Sequence, residues 1–175
     1  MNQLRRAWIW LSRIGNCRGF GIQSPTDYAF VRYVVNEHWP YYAYEELQTS
    51  DWLERKKGRL FLRLANWRQP QRMFADEWRP WWHAGSQKIQ FVDSISSLCQ
   101  VELARVTIDD ADGWQQVLER CGEQSVAVVD EIYRDWARWH AIEQDGHVGT
   151  TFDLYYCGVV FFDCKRYKHH YRVNF

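Results

Sequence analysis

The sequence lacks any excess of charge of one sign. Its 22 basic and 22 acidic side chains cancel, giving a formal net charge of zero. That removes the overall electrostatic argument for nucleic acid or an anionic membrane, and neither is expected as a partner. Long apolar runs are also missing; none approaches the roughly 20 residues that span a bilayer. The stretch from Met1 to Ile14 mixes arginines with apolar residues. Arg13 and Arg18 interrupt any apolar core of a signal peptide and no small-residue cleavage site follows, so an amphipathic helix is expected there. Cys17, Cys99, Cys121, Cys157 and Cys164 form no CxxC pair and are odd in number. Reduced thiols in a cytoplasmic protein account for them, and a thiolate zinc site is not expected. No G-x-S-x-G, P-loop or HExxH pattern occurs. Neither an internal repeat nor a low-complexity linker divides the chain.

Aromatic residues are abundant. Eleven tryptophans, ten tyrosines and nine phenylalanines make up 17% of 175 residues. Rings dominate core and interface energetics, so many must be buried. Those left outside point to a homodimer or a protein partner. The length suits one compact unit, read here as a helical section over 1–70 and a sheet section over 71–175. In the first, Ala7, Trp8, Trp10, Leu11 and Ile14 recur at helical spacing. Ser24-Pro25 reads as an N-cap with proline at the first helical position, opening a helix from Thr26 to about Glu37. A third helix is expected over 43–67, with Leu60, Phe61, Leu64 and Trp67 on its apolar face and Pro70 beyond its end. Two basic runs, Arg55-Lys56-Lys57-Gly58-Arg59 and Lys165 to His170, read as solvated faces or tips.

From residue 71 the pattern changes to short strand-like runs with helical spacers: 72–75, 88–92, 101–108 and 125–129. Trp114, Val117, Leu118 and Cys121 mark one helix, expected to be capped by Gly122; Trp136, Trp139, His140 and Ile142 mark another. This alternation predicts an α/β fold with a mostly parallel sheet. Three further runs, 149–155, 158–162 and 171–175, lie close together and predict antiparallel strands at the C-terminal end.

Two stretches carry a resemblance. "RGFGIQSPTDYAFVRYVVNEHWPYYAYEEL" resembles an opening of the form HG-x-G-x-HSP-F-x-F followed by YY-x-YEEIE. "SVAVVDEIYRDWARWHAI" with "TTFDLYYCGVVFF" resembles a late strand ending FDDIHWS, then DLF-x-x-GIVFF. Both are features of a Bacteroidetes-type family of class I S-adenosylmethionine-dependent methyltransferases, and "GRLFLRLANWRQPQ" resembles the segment leading into that family's first strand. The resemblance covers about two thirds of the chain. It implies a Rossmann-like methyltransferase fold, here reduced by at least one βα unit. The family's glycine-rich ELGTSLGIST turn is absent: the corresponding place reads "FADEWRPWWHAG", with Gly85 as its single glycine. Glycine there lets the backbone approach the cofactor closely. Trp81 and Trp82 are expected to fill that cavity instead.

The resemblance therefore implies a degenerate relative without catalysis, acting as an interaction or regulatory module and needing no cofactor. The alternative is an active methyltransferase with a rearranged site. In that case Asp76, Asp93 and Asp109 would contact S-adenosylmethionine, and His83 and Asp130 would carry acid–base chemistry. A Mg²⁺ ion would suit Asp109, Asp130 and Glu131, because acids at neighbouring strand ends converge and hard cations take oxygen ligands. The competing account of the same acids is helix capping. A third reading makes the chain a regulatory subunit of a full-length methyltransferase.

Overall fold

A computed structural model describes residues 3–74, 77–165 and 167–175. Helix α1 (Gln3–Ser12) keeps its apolar stripe mostly outside; only Ile9 is buried along it. Ser24 accepts the Asp27 N–H at 3.4 Å and opens α2 (Pro25–Phe30), as the Ser-Pro pair predicts. The chain then widens into a π turn over Val31–Val35, closed by the Asn36 N–H on the Val31 carbonyl.

The helix expected over 43–67 is split. A single turn, α3 (Ala43–Glu46), is followed by a break, and α4 (Trp52–Arg68) starts afresh. Asp51 makes the new start by accepting the N–H groups of Leu53 and Glu54 at 2.7 and 2.9 Å. Such a cap satisfies donors that a helix start leaves free. Gln69, in the left-handed region at φ 49°, ends α4 just before Pro70.

The sheet section runs β1 (Arg72–Phe74), α5 (Arg79–Gly85), β2 (Gln90–Val92), β3 (Leu103–Thr107), α6 (Ala111–Arg120), β4 (Val126–Asp130), α7 (Trp136–Gln144), β5 (Thr150–Asp153), β6 (Cys157–Phe161) and β7 (His169–Arg172). β1 and β2 pair in parallel as a separate two-stranded sheet whose first strand runs beside β3. The main sheet has the order β3-β4-β6-β5-β7. β6 is antiparallel to both neighbours, whereas β7 is parallel to β5. The expected antiparallel ending therefore holds for β6 and fails for the last strand, which also begins at His169, earlier than the sequence suggested. α6 ends by turning extended at Cys121; Gly122 is not its cap.

Alternation along the central strands divides the core in two. Leu103, Val126, Val128, Phe152 and Val159 face α4 and α5, with Leu60, Phe61, Leu64 and Trp82. Ala104, Val106, Ala127, Val129 and Val160 face α6 and α7, with Trp114, Val117, Trp139 and Ile142. A sheet covered on both faces needs unbroken apolar strands, and β3 and β4 are buried almost throughout. The result is a three-layer α/β/α arrangement with a mixed sheet. Among the described residues no helix is long and apolar enough to cross a membrane.

The N-terminal section is latched onto the sheet. Arg13, just after α1, makes a two-pronged contact with Asp153 at the end of β5, at 2.9 and 2.7 Å. The same guanidinium also donates to the Asp153 carbonyl at 3.0 Å.

Candidate functional site

Ligands of open α/β sheets sit beyond the carboxyl ends of the parallel strands. Here that edge is the end of β3 and β4, and Asp130 closes β4 with no exposed surface. A carboxylate buried in such a place is costly unless it is paired. Lys57 from α4 supplies one, with Nζ 3.0 and 2.8 Å from the two Asp130 oxygens. Arg105 from β3 supplies the other, through Nε at 3.1 Å and Nη2 at 2.6 Å. The Glu131 N–H completes the shell at 2.9 Å. Arg105 turns its remaining arm outward to Glu77, at 3.0 Å.

Trp78 roofs this cluster. Its ring lies 4.9 Å from the Lys57 ammonium and 5.6 Å from the Arg105 guanidinium. A ring face over a cation is attractive, more so when water is excluded. Phe61 holds the indole edge-on at 4.9 Å, and the indole N–H donates to Glu77 at 3.0 Å. Two cations and two carboxylates thus form a neutral, capped knot at the point where a ligand would enter.

The tryptophans expected to plug the site have another task. Trp82 stacks on Phe61 at 4.6 Å and is fully buried, and Trp81 lies against Gly58. They bind α5 to α4, and Trp78 is the residue that covers the strand ends. Ala75 and Asp76 lie outside the described residues, and with them the cofactor role expected of Asp76.

The other sequence candidates are dispersed. His83 is exposed on α5, and Asp93 is exposed just past β2. Asp109 is exposed beside Arg134, 3.1 Å away, and the other arm of Arg134 takes Glu131 at 2.6 Å. Asp110 accepts the Gly113 N–H at 2.8 Å and so caps α6. At the ends of β3 and β4, Asp109, Asp110, Asp130 and Glu131 are each matched by arginine, lysine or backbone. Among the described residues no group of three or more His, Cys, Asp or Glu is gathered for a metal ion, so Asp109, Asp130 and Glu131 do not form the Mg²⁺ site expected of them. Asp130, the carboxylate best placed to meet that ion or a nucleoside cofactor, is enclosed by Lys57, Arg105 and Trp78.

Lys57, Arg105, Glu77 and Trp78 carry the site and were not singled out by sequence. Two signals were available. Arg105 interrupts an otherwise apolar strand, and Lys57 shares the helical face of Leu60, Phe61 and Leu64. The basic run 55–59 is consequently not a solvated face, since Lys57 is only 7% exposed. Comparison with family models, with curated proteins and with solved structures finds no match to this chain.

Proposed function

We propose that the chain is a methyltransferase-like scaffold that has given up catalysis and works as an interaction or regulatory module. One observation carries this reading: the Lys57–Asp130–Arg105 cluster under Trp78 occupies the edge where a reduced Rossmann-like sheet would receive S-adenosylmethionine. A cofactor entering there would have to separate a fully buried carboxylate from its cations, which costs about 3–5 kcal/mol before any contact is gained. The parallel pairing of β3 with β4, and the antiparallel β6 inserted after them, support the scaffold part of the proposal. Exposed Trp8, Trp10, Phe20 and Trp39 support the interaction part, through a second copy or another protein.

The test is calorimetric titration with S-adenosylmethionine and S-adenosylhomocysteine, with and without Mg²⁺, followed by thermal unfolding. The expected result is no heat and no stabilisation at millimolar ligand. A ligand present at a hundred times its Kd stabilises the folded state by about 2.7 kcal/mol, so binding in the micromolar range would be visible and would restore the active-enzyme alternative.

A further inference from the structure

A groove of about 990 Å³ opens between the 36–49 segment and α4, with Phe175 contributing to its wall. Drug- and cofactor-sized ligands occupy spaces of roughly this volume. Its α4 wall is cationic: Arg55, Arg59 and Arg63 are spaced by four residues along one stripe, with Lys56 beside them. None of these four has a carboxylate partner among the described residues, in contrast to neighbouring Lys57. Arg63 is spent on the backbone, donating to the Val34 and Val35 carbonyls at 2.6 and 2.9 Å. Among the described residues, Lys56 and Arg59 are held only by rings. The Lys56 ammonium lies 4.4 Å from the Phe175 ring and 5.2 Å from that of Trp52, and the Arg59 guanidinium lies 4.5 Å from Tyr44.

Two donors in this wall have no acceptor among the described residues. Arg59 Nε and Asn36 Nδ2 are buried atoms without a hydrogen bond. A buried, unsatisfied donor is costly, and native proteins rarely keep one without a use. The carboxylates in the lining, Glu37 and Glu45, leave the cations in excess, and Glu37 already accepts the Tyr41 hydroxyl at 2.8 Å. Burial, and after it the Arg63 charge, push the Lys56 ammonium down to about 8. An anion seated beside it would reverse that. On the opposite wall Trp39 and Tyr42 are 73% and 89% exposed, offering ring faces to a planar group.

We propose that this groove is a binding site for a small phosphorylated ring compound of the nucleotide class. The phosphate lies against the Lys56 ammonium and the Arg59 guanidinium, and the ring lies against Trp39 or Tyr42. A phosphate presents the several acceptor oxygens that this donor set requires, and guanidinium and ammonium groups bind it by charge-assisted hydrogen bonds. The site is separate from the sealed strand edge and does not depend on whether the scaffold keeps methyl transfer.

Calorimetry on the whole chain tests it with AMP, ADP, pyrophosphate, adenosine and a short oligonucleotide. AMP or ADP should bind at least tenfold more tightly than adenosine or pyrophosphate, since each of the latter keeps half the contacts. Arg59→Gln and Lys56→Met should each weaken AMP binding about tenfold or more. Lys56→Met removes a half-buried charge without a carboxylate partner among the described residues and should fold at least as well as the parent, so its loss of binding cannot be blamed on unfolding. Equal affinity for adenosine and AMP would overturn the assignment. So would unchanged affinity in Lys56→Met, an oligonucleotide bound more tightly than its mononucleotide, or no heat from any ligand at millimolar concentration. S-adenosylmethionine in the same series separates the two proposals. If it binds equally to the parent and to Lys56→Met, the non-catalytic reading falls and the groove assignment stands; if Lys56→Met abolishes its binding, the phosphate assignment falls.

Discussion

Asp130→Asn is the most informative single change at the strand edge. The side chain keeps its shape, so packing under Trp78 is nearly preserved and the effect is electrostatic. Asp130 is fully buried and serves two cations that are themselves almost buried. Removing one member of such a group leaves uncompensated charge in a low-dielectric setting and costs about 3–5 kcal/mol. For a chain of this size each kcal/mol lowers Tm by roughly 2–4 °C, so a fall of roughly 6–20 °C is expected. Urea unfolding followed by tryptophan emission measures it, because Trp78 sits directly on the cluster. A double-mutant cycle then isolates the pair. Lys57→Met should be strongly destabilising in the parent and nearly neutral or favourable in Asp130→Asn, since the lysine then has no carboxylate to meet. A loss below about 1 kcal/mol for Asp130→Asn, or additive effects in the cycle, would refute the idea that a charge knot holds this edge shut.

Glu77→Gln provides the contrast: its side chain is 69% exposed, so breaking its Arg105 contact should cost under about 1 kcal/mol by the same urea assay. Lys56→Met should stabilise the unliganded chain by up to about 3 kcal/mol at pH 7. The sign follows from its lowered value: between about 8 and the ordinary 10.5 the unfolded chain binds more protons, so the parent should gain stability as pH rises through that window and Lys56→Met should not. Gly58→Ala should destabilise by about 1–3 kcal/mol despite alanine's better helix propensity. Its Cβ would fall 2.2 Å from the Trp81 ring, and thermal melts would show the opposite sign if α5 could shift to accept it. Arg13→Gln should speed hydrogen exchange across α1 while leaving β3 and β4 protected, because the buried latch to Asp153 ties the end of that helix to β5.

Periodicity made most of the framework legible. The runs at 101–108 and 125–129 contain β3 and all but the last residue of β4, because strands covered on both faces must be apolar throughout. Ser24-Pro25 disclosed its helix start for local reasons. The break at Asp51 was also written locally, in an Asp followed three residues later by Glu54, but the surrounding helix formers masked it. The direction of β7 was not legible, since short spacing implies a hairpin only when the next strand pairs with its immediate predecessor. β7 passes over β6 and joins β5. At the site the acids were visible and their cations were not. A carboxylate at a strand end looks the same on paper whether it faces solvent, a metal or a lysine from a helix 73 residues away. Trp78 was hidden among equals, because a run of tryptophans does not reveal which ring meets a charge.

The placement of β6 between β4 and β5 has a consequence for how the chain reaches its native state. β4 cannot complete its ladder until a strand some thirty positions later has been made, and Arg13 must wait for Asp153, 140 residues away. Contacts of such long separation close late and slowly. During synthesis the open side of β4 is an unpaired, apolar edge, the kind of surface that recruits strands from other molecules. Yield in a cell should therefore depend more on temperature and chaperone supply during translation than on the stability of the finished protein.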